Sequence, residues 1–434
     1  MNRLMNKLPL FSDFSFRLPD LSEQQIVFPN GISLACFPDK DSEVVRLEFI
    51  FANAGSNNQK KYFTAAAAAN LLTEGSGDMS AAMMADKLDY YAAYVEKSTD
   101  RESSSIVFFF LEKYSAQIMP LVELIIKHPL YAEKEFDIYR NKQRQSVELN
   151  NRKTNIIAYK KFYKLLFPAE NPLSGFGQAS DFDFLSRDDV RKFYDEFYSS
   201  KECEISLAGN FSDRLLKTLE QSFGSNDWGK GKIHFPQETF VTAFPQVETA
   251  FVHKDKAVQA SLRLGNICIS HKDKDFMPFK VLVALFGGYF GSRLMTNIRE
   301  EKGYTYSIGS YVTTYRDCAV LSTLADVKAE KAKETFREID KEIEKLQNET
   351  VGEEELCVLK NYLLGECLRG LDGVFDMAEK FSVLRRSDYP LSYFDDMQKA
   401  IVETRPEDIR ELARKYLRTE KMSKVLVCDK KFVE

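Results

Sequence analysis

Histidine is scarce in this chain. There are 4 among 434 residues (His128, His234, His253 and His271), and the closest two are 18 positions apart. Neither HExxH nor HxxEH can be written, because both need two imidazoles at i and i+4 on one helix face to grip one metal ion. Cysteine offers no substitute. The 7 cysteines are scattered and none forms CxxC, which fits reduced thiols in a cytoplasmic protein rather than a disulfide framework or a zinc ribbon. Long apolar runs are missing too. The longest, IVFFFL at 106–111, suits a buried strand and falls far short of the roughly 18–20 residues of a membrane span. The opening MNRLMNKLPLFSDFSF has no apolar core or small-residue cleavage site of a secretory leader. Sixty basic residues against 65 acidic ones give a net charge of −5. With no basic stripe, no nucleic-acid partner is expected.

Two tempting motifs fail on inspection. GSNDWGKG at 224–231 nearly spells a phosphate loop, but Gly231 stands where Ser or Thr would hold magnesium, and a helix rather than a strand precedes it. GSG at 75–77 lacks the spacing of a nucleophile elbow. No Ser or Cys stands in a recognisable catalytic frame.

What is present is a large core and a repeat. Hydrophobic residues make up 44% of the chain, with 34 Phe, ample for folded domains. SRDDVRKFYDEFYSSKECEISLAGN at 186–210 and RPEDIRELARKYLRTEKMSKVLVCDK at 405–430 share one plan: an acidic first turn, an amphipathic helix, a short loop and a strand. Val190 matches Ile409 and Phe197 matches Tyr416, both at an offset of 219. IIKHPLYAEKEFDIYRNKQ at 125–143 parallels KLQNETVGEEELCVLKNYL at 345–363, with Phe136 matching Leu356 at 220. A duplicated domain of about 220 residues follows, with an N-terminal domain at 1–225, a Gly- and Pro-containing linker at 226–243 and a C-terminal domain at 244–434. Strands and helices mix without strict alternation. The expected class is α+β, each domain a mostly antiparallel sheet with helices packed on one face.

The richest segment is ALFGGYFGSRLMTNIREEKGYTYSIGSYV at 284–312. Gly287, Gly288 and Gly291 precede a helix from about Ser292 to Lys302, and Gly303 ends it. Glycines there admit a close backbone, and exposed N–H groups at a helix start suit an anion or a carbonyl. Arg299 lies near the helix end, where the dipole favours a cation. A strand follows, with Tyr304, Tyr306 and Ile308 expected on one face. Two readings of Arg299 are open at this point: a solvated helix-end charge beside sheet-packing tyrosines, or a ligand-binding group.

This stretch resembles the second-domain signature of the M16 metallopeptidases, the family of insulysin, pitrilysin and the mitochondrial processing peptidase. That signature runs roughly GGxxSSRLxxxLRExxGLAYSV and stands here as GGYFGSRLMTNIREEKGYTYSI. The resemblance implies a peptide-contacting Arg–Tyr pair seven positions apart, here Arg299 and Tyr306, with Gly287 and Gly288 in the same substrate-binding segment. It also implies a zinc helix of pattern HxxEH in the first domain, followed by a Gly. Placing that Gly on Gly75 puts Ala66 and Asn70 at the two histidines and Ala69 at the general base, inside YFTAAAAANLLTEGS. The family's third ligand is a Glu on a later helix. Glu148, 78 positions beyond Asn70, is either its remnant or an ordinary exposed helix residue.

On this resemblance the chain keeps the family's architecture without the hydrolytic centre. No catalytic residue, metal or cofactor is expected in it. The expected role is a non-catalytic subunit that holds an unfolded peptide and completes the chamber of an HxxEH-bearing partner, which carries the zinc. A catalytically inactive scaffold in a larger assembly is the alternative, and an enzyme with an unrecognised site is a third. A cytoplasmic location is expected, with no membrane partner.

Overall fold

The computed structural model describes residues 25–432, apart from 233, 235–246, 317 and 388. Residues 1–24 of the expected first domain, and 233 and 235–243 of the expected linker, lie outside the described residues. The first half holds strands β1 (Gln25–Val27), β2 (Ser33–Pro38), β3 (Val44–Phe51), β4 (Tyr94–Thr99), β5 (Ser104–Leu111) and β6 (Cys203–Gly209). Its helices are α1 (Thr64–Asn70), α2 (Ala81–Tyr90), α3 (Ser115–Lys127), α4 (Glu133–Asn150), α5 (Thr154–Leu166), α6 (Arg187–Phe197) and α7 (Asp213–Leu219). The second half holds β7 (Thr249–His253), β8 (Gln259–Cys268), β9 (Thr305–Thr314), β10 (Ala319–Lys328) and β11 (Ser423–Cys428). Its helices are α8 (Phe276–Val283), α9 (Ala332–Asn348), α10 (Glu353–Arg369), α11 (Val374–Arg386), α12 (Tyr393–Glu403) and α13 (Pro406–Tyr416).

Apart from the extra edge strand β1 in the first, the two sheets have one topology. The order is β1-β2-β6-β3-β5-β4 in the first and β7-β11-β8-β10-β9 in the second. Each has a single parallel pair, β2 with β6 and β7 with β11, among antiparallel neighbours. The α+β class is as expected. The echo reaches the helix caps. In α6 the Asp189 carboxylate accepts from the N–H of Ser186, and in α13 Asp408 accepts from that of Arg405, at 2.9 and 2.8 Å. An acid at the third helical position satisfies an orphan N–H and complements the dipole.

Residues alternate between the two faces of a strand, and both faces of the central strands are buried. In β3, Val45, Leu47, Phe49 and Phe51 enter the first core with α1, α3 and α6 residues. Trp228, inside the expected linker, packs in that core against Phe51 and Phe223. The opposite face of β3 carries the buried pair Arg46–Glu48 at 2.8 Å. In β8, Ala260, Leu262 and Leu264 face the second core.

The outer faces are covered by an exchange of helices. Helix α5, from the first half, lays Ala158, Phe162 and Leu166 over Ile267, Val320 and Val425 of the second sheet. Helix α11, from the second half, lays Ala378, Phe381 and Leu384 over Ala35, Phe37 and Ala208 of the first. The starts of α5 and α11 are 220 residues apart, so these are equivalent helices that trade places. Ser382 donates to Glu48 at 2.6 Å, and Arg385 forms a bidentate pair with Glu204 at 2.8 and 2.6 Å. Helices on one face of each sheet are therefore joined by one helix from the other half on the opposite face.

Candidate functional site

Helix α1 is short and small-sided. Ala65, Ala67, Ala68 and Ala69 are fully buried, while Ala66 and Asn70 are half-exposed. Alanine has the highest helix propensity, and its methyl lets the neighbouring elements approach. Asn70 turns its carboxamide back on its own helix, donating to the Ala66 carbonyl at 2.8 Å. Beside it stands Lys97 of β4, whose ammonium donates to the Asn70 carbonyl at 3.2 Å and to Thr73 Oγ1 at 2.7 Å. Carbonyls at a helix end are a natural seat for a cation. Burial pulls the Lys97 pKa down, with Glu74 acting the other way. Burial also pushes the Tyr139 phenol of α4 up to about 12, against the side chain of Asn70.

These groups do not fit zinc. Ala66 and Ala69 offer no donor atom, and the Asn70 carboxamide, which donates to the helix backbone and bonds the Tyr139 phenol, is not among zinc's usual Cys, His and carboxylate ligands. Glu148 faces outward, where Arg152 donates to it at 2.7 Å with both side chains more than half exposed. Its neighbour Val147 takes the half-buried place against the core. No cluster of three His, Cys, Asp or Glu side chains suited to a metal occurs among the described residues. The four histidines sit apart, with His234 on Glu202, His253 accepting from Lys430 N–H and His271 on Tyr389; His128 closes α3. An ammonium, a carboxamide and a phenol can hold a carbonyl; none can ionise a water molecule as a bound metal does.

The second candidate region is built tightly. Gly287 lies in the helical run Ala284–Gly288 that continues α8, and a Cβ there would lie 2.8 Å from Ser310 N and Cβ of β9. Gly288 has more room, its nearest neighbour being Ala284 Cβ at 3.3 Å. The next helical turn, Met295–Glu301, is pinned on its buried side. Arg293 forms a two-bond pair with Glu355 at 2.8 and 2.9 Å, and Asn297 donates to Glu342 at 2.7 Å and Glu338 at 3.3 Å. Gly303, at φ +62°, closes the turn by donating its N–H to the Arg299 carbonyl at 3.1 Å, the usual left-handed cap.

Arg299 and Tyr306 are brought together. The guanidinium carbon lies 5.3 Å from the Tyr306 ring centre and 4.6 Å from that of Phe290, within cation–π range. Both rings are exposed, Tyr306 at 87% and Phe290 at 60%. The expected shared face of Tyr306 and Ile308 does not form: Ser307 pairs with Asp326 and Thr305 with Val327. Tyr306 is the extra residue of a β-bulge, which re-aims its side chain, while Ile308 is buried. Sequence reasoning missed Phe290, Lys97 and Tyr139. The one available signal was Lys97 itself, a lysine at an inward position of the alternating strand β4.

Residues 185–363 match the family profile described as "Peptidase M16 inactive domain". An "Uncharacterized zinc protease" of Rickettsia felis is 24% identical over 312 residues, covering 71% of this chain and 73% of its own. The "Non-peptidase homolog YmxG" of Helicobacter pylori is 22% identical, covering 74% of each. A crystal structure of a peptidase M16 inactive domain from Pseudomonas fluorescens superposes with a TM-score of 0.81 at 19% identity, over 94% of this chain and 98% of that one. The fold is thus M16 peptidase-like. The match to that profile covers residues 185–363, and the chain is similar over most of its length to proteins described as zinc proteases and as non-peptidase homologues. No helix among the described residues is long and apolar enough to cross a membrane.

Proposed function

We propose that this chain is a non-catalytic M16 subunit that holds an unfolded peptide through Arg299 and Tyr306 and completes the chamber of an HxxEH-bearing zinc peptidase. The observation that carries this reading is the exposed Arg299–Tyr306 contact, in a chain whose helix α1 has Ala66, Ala69 and Asn70 where the resemblance expects the zinc ligands and base. Arg299 is held by two rings, a glycine cap and a pinned helix. Its contribution to catalysis is positioning: a peptide held at its far side presents the scissile bond to the partner's metal-bound water. Zinc belongs to the partner in this reading. Seven unpaired cysteines support a cytoplasmic setting.

The test is coexpression with an HxxEH-bearing M16 homologue, followed by peptide cleavage and chelator sensitivity. The pair cleaves and the chain alone does not. Arg299→Ala in the pair lowers kcat/KM at least about tenfold, the loss of roughly 1.4 kcal/mol of transition-state positioning. Full activity of that variant sinks the reading. A chain that instead forms a stable assembly with no peptidase and no peptide affinity is the inactive scaffold.

A further inference from the structure

We propose that the Phe290–Arg299–Tyr306 stack selects a carboxylate carried by the peptide, and that Phe290 is its specificity-determining residue. This rests on the peptide-binding reading above and names the chemistry that the site prefers. The guanidinium carbon lies 4.6 Å from the Phe290 ring centre and 5.3 Å from that of Tyr306. Rings this close shield part of the guanidinium from water, while its N–H donors, which all lie in its own plane, form a rigid fork.

The chain closes comparable forks with its own acids. Arg293 takes Glu355 through two bonds, and Arg385 takes Glu204 through two bonds. Among the described residues, none makes such a pair with Arg299. A partly desolvated cation with an open, planar donor edge is matched by a carboxylate, which accepts two parallel bonds and neutralises the charge. A neutral peptide carbonyl offers one oxygen and no opposing charge, so it cannot close the two-bond fork that a carboxylate closes. Glu300 and Glu301 follow Arg299 directly and are exposed. The surroundings are therefore no general anion basin, and fork geometry rather than net field does the selecting. Phe290 supplies the nearer ring from the short turn between two helical segments, a position that the Arg–Tyr spacing does not reach.

The carboxylate has two sources, an acidic side chain or a free C-terminus, and a peptide series separates them. One fluorescent unfolded peptide is prepared with Glu or Gln at one interior position, and as the free acid or the C-terminal amide. Binding to the purified full chain is read by anisotropy at low and high salt. At least one acid arm binds about tenfold tighter than its neutral counterpart, and salt erodes the gain. Arg299→Lys, which keeps the charge but loses the fork, reduces the preference. Phe290→Ala reduces the ratio of acid-peptide to neutral-peptide affinity. Because Phe290 is exposed, that variant folds, and circular dichroism checks it. Equal binding of all four peptides overturns the inference, as does an unchanged preference in Phe290→Ala. If in either case Arg299→Ala weakens every peptide alike, peptide binding itself stands. If no peptide of the series binds the wild type, both fall.

Discussion

Lys97 places an ammonium against the carbonyl end of helix α1, and burial lowers its pKa from the ordinary 10.5. Between the folded pKa and 10.5 the unfolded chain binds more protons than the folded one, so stability rises with pH across that window. At lower pH both states are protonated, and the full cost of burying the charge is felt. Lys97→Met removes this titration. The melting temperature of wild type relative to Lys97→Met therefore climbs from neutral pH towards 10.5; a constant difference would show that Lys97 is not desolvated. Comparing the two proteins cancels the buried tyrosines, such as Tyr194, whose raised pKa opposes this trend at high pH in both. Residues of this kind were the least legible. Ala66, Ala69 and Asn70 could be placed from the pattern around Gly75, but what packs beside them comes from β4 and α4, across distances that no local spacing encodes. Glu148 shows the same limit. One position along a helix turns a side chain by about 100°, and that separates the outward Glu148 from the half-buried Val147.

At the scale of elements, the glycine-rich turn was read as a ligand cradle, and its geometry gives Gly287 a packing task as well. A methyl at Gly287 would meet the β9 backbone at Ser310 N, 2.8 Å away, whereas one at Gly288 meets a side-chain methyl at 3.3 Å. Backbone yields less readily than side chains, so overpacking at Gly287 costs about 1–3 kcal/mol. Gly287→Ala lowers the melting temperature by several degrees and weakens peptide binding, because β9 carries Tyr306. Gly288→Ala changes both little, aided by the better helix propensity of alanine. Thermal melts and anisotropy on the two variants check this; equal effects would remove the packing argument. The periodic elements were legible because burial imposes their periods: IVFFFL is the doubly buried β5, and the acidic first turns at 188–189 and 407–408 begin α6 and α13. The bulge at Tyr306 was not legible, since an unopposed residue is a property of the partner strand's register and leaves no mark on its own.

For the whole molecule, the duplication was readable at offsets of 219 and 220, but the exchange of α5 and α11 was not. An amphipathic helix shows that it has a buried face without showing whose sheet it covers. The exchange makes each half incomplete. A polypeptide of residues 1–234 leaves α5 with Phe162 and Leu166 uncovered, exposes Ala35, Phe37 and Ala208 on its sheet, and takes Ser382 from the buried Arg46–Glu48 pair. A polypeptide of residues 247–434 loses the reciprocal set. Burying Phe162, Leu166, Phe381 and Leu384 contributes on the order of 6–12 kcal/mol, at about 1.5–3 kcal/mol each. That matches the roughly 5–15 kcal/mol by which an entire domain is stable, so neither half should hold a native core alone. Each half expressed separately is expected to bind a hydrophobic dye and to lack a cooperative melt. The two coexpressed should co-purify at equal stoichiometry and melt as one unit near the intact chain. A half that unfolds cooperatively by itself would mean that the exchanged helices decorate finished domains. Failure of both would instead tie the two halves together as one folding unit, with the Arg299 region held in place by contacts that begin in the other half of the chain.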